Sequence, residues 1–271
     1  MGWRRCSCTR TETTDLLTRS SNIDFGIHGV GAVSVMRPVK RALRALFFFL
    51  PDPAFSVIVF EMRAFLGNLL AFPLVLDRQT RNYVNLGSGP HCRKGYTNID
   101  FFGTPGIDYG ADLRRPLKIS DGTVDGIFCE HVLEHLTYAE VSRLLGECYR
   151  VMKPGSVLRV IVPDVSLFVQ HYSEGDNGWF ERWETLMFIQ SADAARASRR
   201  LVSPMQAVSF VTQEYGHVSA WDFETLSIYV TNSGFGQVKR AGFMQGQCSE
   251  LFLDKDDEGR KFVSLYTEAV K

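Results

Sequence analysis

Four short apolar runs between residues 83 and 164 constrain the fold of this chain more than any other feature of its sequence. The first run ends in a glycine turn and each of the other three ends in a carboxylate: Gly87-Ser88-Gly89, Asp100, Glu130 and Asp164. Short apolar runs that stop at such residues are typical of buried strands. A helical pattern precedes the last run. The segment therefore predicts an open, mostly parallel sheet whose ligand lies beyond the carboxyl ends of its strands.

The connection after the first run is short. Only Pro90 to Tyr96 lie between the glycine turn and the second run, whereas a crossover helix needs about a dozen residues. A dinucleotide requires that helix, because its pyrophosphate binds at the helix N-terminus. Cys92 also occupies the place of the third glycine of the dinucleotide fingerprint. Both departures argue against a nicotinamide or flavin dinucleotide.

Five short motifs follow one another over this part of the chain: Asn85–Gly89, Asn98–Asp100, Ala111–Leu113, Phe128–Leu136 and Val151–Gly155. In this order and spacing they resemble the class I S-adenosylmethionine-dependent methyltransferases, and especially their small type 11 branch. The resemblance covers roughly residues 80–271. It implies a Rossmann-like, mostly parallel α/β sheet with an antiparallel closing strand, a methyl-transferring enzyme, and S-adenosylmethionine as cofactor.

The resemblance also implies which residues hold the cofactor. Asp100 is expected to accept the ribose hydroxyls and Asp112 the adenine amino group, although each is also compatible with a simple turn acid. The other expected cofactor-binding residues are Asn85, Gly87, Ser88, Gly89, Leu113, Glu130 and His131. Two residues depart from the commoner family pattern. Asn85 stands where an acid is frequent, and His91 stands where a third glycine often follows.

Two residues are candidates for the acceptor side of the reaction. Asp164 follows the fourth run and should face the same crevice. His217 precedes a helix expected from Asp222 to Gly234, and it resembles a histidine that faces the acceptor in related enzymes. Either side chain could act as the base for a hydroxyl acceptor. A turn acid and an ordinary loop histidine are the alternatives. Relatives in this branch imply a small-molecule or saccharide acceptor.

The motif His131-x-x-Glu134-His135 raises a competing hypothesis, since it matches the two zinc-binding histidines of inverted zincin peptidases. Those histidines need to share one helix face. Here the motif directly follows an apolar run, and a capping box at Thr137–Glu140 predicts that the helix begins only afterwards. We therefore expect no metal site, with His135 as a structural histidine and Leu133 and Leu136 in the core.

Residues 165–215 form an insertion between predicted strands, where a scaffold often carries substrate specificity. Aromatic and other apolar residues at helical spacing are followed by three arginines: Trp179, Phe180, Trp183, Met187, Phe188, Arg196, Arg199 and Arg200. The aromatic rings could stack on a sugar or planar acceptor. An aromatic stripe of this kind more often forms core, and we favour that interpretation.

The part of the chain before the sheet divides into two segments. Residues 1–36 show no periodicity and predict a disordered tail, and residues 37–80 predict a helical appendage to a domain spanning 81–271. Arg37, Lys40, Arg41 and Arg44 lie on one face of the first helical pattern. We expect a packed helix with its charges in water, followed by a largely buried helix at 54–72 that ends at Pro73. The alternative is peripheral contact of 37–72 with a membrane, in an enzyme or in a non-catalytic cofactor-binding partner protein.

The composition excludes several classes of protein. Thirty basic and thirty acidic residues cancel, so no field favours nucleic acid. Six dispersed cysteines indicate reduced thiols rather than a disulfide scaffold. The chain shows neither a secretory leader nor an uninterrupted membrane span. We therefore expect a cytoplasmic protein, with the inner face of a membrane as the place of any peripheral contact. Nothing in the sequence indicates the oligomeric state.

Overall fold

A seven-stranded sheet with the order β3-β2-β1-β4-β5-β7-β6 organises the fold of the computed structural model. Its strands are β1 (Tyr83–Leu86), β2 (Thr97–Asp100), β3 (Tyr109–Gly110), β4 (Val124–Glu130), β5 (Met152–Pro163), β6 (Gly236–Arg240) and β7 (Ser264–Val270). Strands β1 to β5 pair in parallel, and β7 pairs antiparallel with both β5 and β6. The predicted Rossmann-like sheet with an antiparallel closing strand is confirmed.

The structure describes residues 41, 44–49, 51–70, 72–102, 104–189 and 203–271. The predicted tail 1–36 and the basic residues Arg37, Lys40, Arg196, Arg199 and Arg200 lie outside the described residues. The described helices are α1 (Asp52–Leu70), α2 (Tyr138–Val151), α3 (Val165–Glu174), α4 (Asn177–Glu184), α5 (Pro204–Gln213), α6 (Phe223–Asn232) and α7 (Glu258–Val263). Among them, no helix is long and apolar enough to cross a membrane.

Helices α2 and α6 cover one face of the sheet, which we call the helical face. The predicted capping box starts α2, since the Thr137 N–H donates to Glu140 Oε2 at 2.8 Å and the Glu140 N–H donates back to the Thr137 hydroxyl. Asp222 caps α6 as expected by accepting from the Thr225 N–H. The apolar stripe of α2 is buried on the inward-facing side chains of the sheet: Val141, Leu144, Leu145, Cys148 and Val151. Leu133 and Leu136 are core residues, as predicted.

The opposite face carries no helix after β1, in keeping with the short connection predicted there. Residues 241–257, which we call the covering segment, lie over it instead. Side chains of this segment pack on inward-facing residues of β4, β5 and β7: Phe243, Leu251 and Leu253 on Phe128, Val157, Ile161 and Tyr266. The Tyr96 hydroxyl donates to the Glu250 carbonyl, and Arg93 Nη2 donates to the Leu253 carbonyl at 3.3 Å. The short connection and the covering segment therefore support each other.

Helix α1 lies beside β2 and β3. The predicted helix is present, but the prediction that it is largely buried is wrong. Val57, Phe65 and Leu69 are exposed, and a Cβ at Gly67 would meet Phe102 at 3.0 Å. Among its described side chains, Phe55 and Ala64 are buried as well. A stripe of exposed apolar side chains is left.

The insertion forms helices α3 to α5 around its own aromatic core. Phe168, Trp183 and Phe188 are fully buried, and Phe180 and Phe210 nearly so. Neighbouring rings meet edge to face, with centroids 5.1 Å apart for Phe168 and Trp183. The core interpretation of this stripe is confirmed. Trp179 is half-buried and stacks on His171 with their ring centroids 4.5 Å apart.

Candidate functional site

The glycine turn lies at the carboxyl end of β1, in the middle of the sheet. Gly87 and Gly89 both have left-handed backbones, with φ of 69° and 52°. A Cβ at Gly87 would lie 2.2 Å from Val132 Cγ2, whereas a Cβ at Gly89 would meet no atom within 4 Å. Gly87 is therefore required for packing. The backbone of Gly89 faces open space, where a ligand can approach it closely.

Asp100 ends β2 directly beside this turn. Its Oδ2 accepts a hydrogen bond from the Gly89 N–H at 2.8 Å, and its Oδ1 accepts from the Phe101 N–H at 2.6 Å and the Thr104 hydroxyl at 3.1 Å. The half-buried carboxylate thus fixes the turn. A carboxylate has about four acceptor sites, so Asp100 has room for further donors. Its predicted contact with ribose hydroxyls stays a prediction that this geometry permits.

A cavity of about 40 Å³ lies on the other side of the turn. Four predicted cofactor-binding residues line it together, namely Asn85, Gly87, Ser88 and Glu130. His91, Leu253 and Lys255 also line the cavity, and the Lys255 N–H donates to Glu130 Oε1 at 3.2 Å. A cavity of this size holds a water molecule, while small-molecule pockets measure about 300–1,000 Å³. The covering segment therefore closes this part of the edge.

The two departures from the family pattern have structural explanations. The buried Asn85 amide donates to the His91 carbonyl at 3.2 Å and to Asn98 Oδ1 at 3.1 Å. A carboxylate could make neither bond, so the amide holds the short connection against β2. His91 lines the cavity but keeps an exposed surface. Partial burial, followed by the positive charges of Lys255, Arg260 and Arg93, lowers its pKa below the ordinary value.

Helix α1 closes the edge at the ends of β2 and β3. The buried Asp112 accepts hydrogen bonds from Arg114, which also pairs with Glu61 of α1 at 2.7 Å. Arg63 of α1 donates to the Phe102 carbonyl at 3.0 Å. The Asp112 carboxylate, predicted to accept from adenine, is thus already engaged by Arg114, and Leu113 lies in the core. No local sequence pattern marks the contacts of α1, because Arg63 and Phe102 lie 39 residues apart in the chain and Glu61 and Arg114 lie 53 apart.

Beyond β4 the backbone turns sharply at His131, where φ is 52°. His131 Nδ1 lies 2.9 Å from Glu134 Oε1, and its Nε2 lies 3.3 Å from the Ser264 hydroxyl. Residues 133–135 form a 3₁₀ turn rather than part of α2. His131 and His135 therefore do not share an α-helical face, and the arrangement of an inverted zincin is not formed.

The two candidates for the acceptor side occupy neighbouring segments. Asp164 follows β5 and caps α3, accepting from the Ser166 N–H at 3.2 Å and from Arg240 Nη1 at 3.4 Å. His217 Nδ1 donates to the Val211 carbonyl at 2.8 Å. In the neutral ring this leaves a lone pair on Nε2. No hydrogen bond joins Asp164 to His217 among the described residues, so each is positioned separately.

Sequence reasoning missed Arg159, which lies in the middle of β5 with no exposed surface. Its guanidinium pairs with Asp254 of the covering segment at 2.5 Å and with Glu268 of β7 at 3.0 Å. It also donates to the carbonyls of Gly242 at 2.7 Å and Gln245 at 3.0 Å. The sequence did contain a signal for Arg159, since a basic residue stands there inside an otherwise apolar run. This network anchors the covering segment to the sheet.

One family model matches part of the chain. The type 11 family model described as a methyltransferase domain matches residues 101–160, which include Asp112, Leu113, Glu130 and His131. No curated protein sequence matches the chain.

Three solved structures are similar to this one. A SAM-dependent methyltransferase from Archaeoglobus fulgidus is 16% identical over 72% of this chain and 87% of its own, with a TM-score of 0.41. Human N-acetylserotonin methyltransferase in complex with SAM is 15% identical over 70% of this chain and 47% of its own, with a TM-score of 0.37. The structure of a Haloferax volcanii complex between the Trm112 activator and a methyltransferase is 12% identical over 88% of this chain and 96% of its own, with a TM-score of 0.40.

The sheet has a Rossmann-like order, and residues 101–160 match a family model described as a methyltransferase domain. This match supports a methyltransferase enzyme of the class I, type 11 kind, with S-adenosylmethionine as its cofactor. The site fits this cofactor at the open backbone of Gly89 and at the Asp100 carboxylate. S-adenosylmethionine carries no phosphate, so the missing helix after β1 is no obstacle. Leu253 and Lys255 of the covering segment line the cavity beside Asn85.

Proposed function

We propose that this enzyme transfers the methyl group of S-adenosylmethionine to a hydroxyl of a small-molecule or saccharide acceptor. The observation that carries the proposal is the position of two side chains beyond the carboxyl edge that holds the glycine turn. Asp164 directly follows β5, and His217 lies shortly before α6. In an open α/β sheet, ligands bind outside this edge. The aromatic insertion that follows Asp164 provides a wall for the acceptor.

In this proposal the cofactor supplies a methyl group on a positively charged sulfur. The protein orients the reactants and excludes water from the site. The turn at Gly87–Gly89 and the Asp100 carboxylate orient the cofactor. The covering segment excludes water from the side of Glu130. His217 accepts the acceptor's hydroxyl proton at Nε2, because its Nδ1–H is held by the Val211 carbonyl. The buried Asp164 positions the start of α3 on the acceptor side, because its carboxylate caps this helix and pairs with Arg240.

The test is release of S-adenosylhomocysteine by the purified chain with a panel of hydroxylated small molecules and saccharides. We expect turnover with an acceptor of this kind and a loss of about 10²–10⁴-fold in kcat for His217→Ala, the usual contribution of a general base. His171→Ala is the matched control, because His171 stacks on Trp179 in the insertion. Turnover only with amines or thiols would contradict the proposed acceptor. Unchanged kcat in His217→Ala would contradict the proposed base.

A second proposal concerns where the enzyme works. Exposed apolar side chains continue from residue 46 to residue 75: Leu46, Phe48, Phe49, Val57, Phe65, Leu69, Phe72 and Val75. Val57, Phe65 and Leu69 are spaced by multiples of four, so they share one side of α1. Arg41 and Arg44 precede this surface. Apolar side chains beside basic residues favour contact with an anionic membrane surface. We propose a cytoplasmic enzyme that binds the inner face of a membrane peripherally through residues 37–72.

Co-sedimentation with vesicles of anionic and of neutral lipid tests this second proposal. The wild-type chain should bind the anionic vesicles, and Phe65→Ser with Leu69→Ser should reduce that binding. Ile228→Ser is the control, since Ile228 is an exposed apolar residue of α6 on another part of the surface. Failure of the wild-type chain to bind anionic vesicles would overturn the membrane proposal and leave the methyltransferase assignment unaffected.

A further inference from the structure

Three side chains with metal-binding atoms converge beyond β4. One ligand atom from each of Glu134, His135 and His217 lies within 4.8 Å of the other two. Glu134 and His135 belong to the 3₁₀ turn after β4, while His217 follows the short turn Glu214–Gly216, more than eighty residues further along the chain. The sequence motif around His131 did not predict this group, because its third member comes from another segment.

The backbone holds these two segments together. The N–H groups of Val218 and Ser219 donate to the Glu134 carbonyl at 2.8 and 3.2 Å. The Ser219 hydroxyl donates to the Leu133 carbonyl at 3.0 Å. Tyr215, just before His217, has a left-handed backbone with φ of 59°. Such a conformation is costly for a residue with a side chain, and it is often found at functional sites.

Glu134 carries a buried oxygen without a partner. Its side chain is 2% exposed, and Oε1 faces His131 Nδ1 at 2.9 Å. Oε2 has no hydrogen-bond partner among the described residues. An unpaired buried carboxyl oxygen is unfavourable unless a cation or a hydrogen-bond donor meets it.

Each of the two histidines uses one ring nitrogen in a hydrogen bond to the backbone. His217 Nδ1 donates to the Val211 carbonyl, which leaves Nε2 as the acceptor nitrogen. The His135 ring is hydrogen-bonded to the Gly216 backbone, and the residue is exposed. Histidines that bind metals commonly donate their second ring N–H to a carbonyl or carboxylate in this way. The same bonds therefore prepare both rings to accept an ion.

We propose that Glu134, His135 and His217 bind a divalent transition-metal ion of the Zn²⁺ class. Two imidazoles and one carboxylate form the ligand set of several catalytic zinc sites, in which a fourth position stays open to water or substrate. The exposed edge of His135 provides the entry path. His131 is an outer partner that orients Glu134 by its hydrogen bond to Oε1.

The site lies on the acceptor side of the sheet, because Glu134 follows the carboxyl end of β4 and His217 precedes α6. An ion bound there would use the Nε2 lone pair of His217. The ion's charge would lower the pKa of an oxygen on the open position, and the proton released would pass to solvent water. With the ion bound, the ion rather than His217 would activate the hydroxyl, whereas the metal-free enzyme would use His217 as proposed above. Metal binding itself does not depend on the proposed methyl transfer.

The test uses the full chain without a histidine tag, stripped with a chelator and titrated with Zn²⁺ by calorimetry and with Co²⁺ by visible absorption. We expect one ion per chain and cobalt bands of a low-symmetry site. Glu134→Gln and His217→Ala should weaken binding by at least about tenfold. His131→Ala should also weaken it by about 10–100-fold, the usual effect of an outer partner. His171→Ala, outside the group, should bind like the wild type.

Two results would overturn the proposal. One is the absence of any stoichiometric ion in the folded wild-type chain. The other is binding that survives in both Glu134→Gln and His217→Ala, which would place the ion elsewhere. If Glu134→Gln does not fold, His135→Ala decides, because this side chain is exposed and its loss should remove the ion without unfolding the chain. S-adenosylmethionine binding, measured on the same samples, reports separately on the methyltransferase site.

Discussion

The two faces of the central sheet are covered in different ways. On the helical face, amphipathic helices pack apolar stripes on the strands, and local signals such as the Thr137–Glu140 capping box set where a helix begins. The opposite face is covered by residues 241–257 without a helix longer than one turn. There, the buried Arg159 pairs with Asp254 and Glu268 across 95 and 109 residues of chain. The helical face is thus held by apolar packing, and the other face by a buried ionic network.

This difference bears on function, because the covering segment also lines the cavity at the glycine turn. Leu253 and Lys255 close the edge beside Asn85 and Glu130. A segment held by a few ionic contacts can open locally at lower cost than a packed helix. We therefore expect changes on this face to affect cofactor binding, and changes on the helical face to affect stability alone.

The largest effect is expected for Arg159→Met. The substitution leaves two buried carboxylates, Asp254 and Glu268, without their cation, and breaking a buried ion pair in this way costs about 3–5 kcal/mol. Urea denaturation should show this loss in the free energy of unfolding, together with weaker binding of S-adenosylmethionine. Arg81→Met is the control, because the exposed Arg81–Glu250 pair should contribute at most about 1 kcal/mol. A loss below about 1 kcal/mol for Arg159→Met would show that the network does not hold the segment.

The next effect is expected at the glycine turn, from Gly89→Ala compared with Gly95→Ala. Both residues have positive φ, and a Cβ at either would meet no atom within 4 Å. The backbone strain should therefore be similar, about 1 kcal/mol. Only Gly89 faces the proposed cofactor, so Gly89→Ala should weaken S-adenosylmethionine binding at least about tenfold, as measured by calorimetry. Equal affinities of the two variants would remove Gly89 from the cofactor site.

On the helical face, Thr137→Ala should cost about 1 kcal/mol of stability by removing the cap of α2. Thermal or urea unfolding would measure this loss. Affinity for S-adenosylmethionine should stay the same, since α2 packs on the face away from the covering segment. Thr231→Ala, an exposed position within α6, serves as the control. A clear loss of cofactor affinity in Thr137→Ala would mean that the two faces are coupled.

The smallest effect is a pH dependence at His91. Its pKa lies below the ordinary value of 6.5, because burial and nearby positive charges disfavour the protonated ring. The unfolded chain then binds this proton more readily than the folded one. The contribution of His91 to the free energy of unfolding is fully present above about pH 6.5 and is lost as the pH falls below that value. The difference between the melting temperatures at pH 7.5 and pH 5.5 should therefore be smaller in His91→Gln than in the wild type. The change should be slight, because His91 is exposed. The same difference in melting temperature between the two pH values in both proteins would contradict the lowered pKa of His91.

The sequence predicted the parts of the molecule that local patterns determine. The four runs became parallel strands, and the capping box and Asp222 began helices as expected. It also placed Asn85, Gly87, Ser88 and Glu130 at one edge, because parallel strands align their carboxyl ends.

What the sequence did not predict depends on partners that are distant in the chain. These partners are Glu61 and Arg114, the ion pairs of Arg159, and Glu134 and His217. Their separations in the chain run from 53 to 109 residues. No local period marks such pairs. The exposed side of α1 was missed for a related reason, since an apolar sequence alone does not reveal whether a surface covers it.

The most direct test of the account is a thermal-shift titration with S-adenosylmethionine on the wild type, Asp100→Ala and Asp121→Ala. Asp121 is the control, an exposed carboxylate paired with Arg150 outside the site. At about 100 times its dissociation constant the cofactor should stabilise the wild type by roughly 2.7 kcal/mol, or on the order of 5–10 °C at this size. The account predicts that this shift persists in Asp121→Ala and is lost in Asp100→Ala. No shift in the folded wild type, or a full shift in Asp100→Ala, would contradict it.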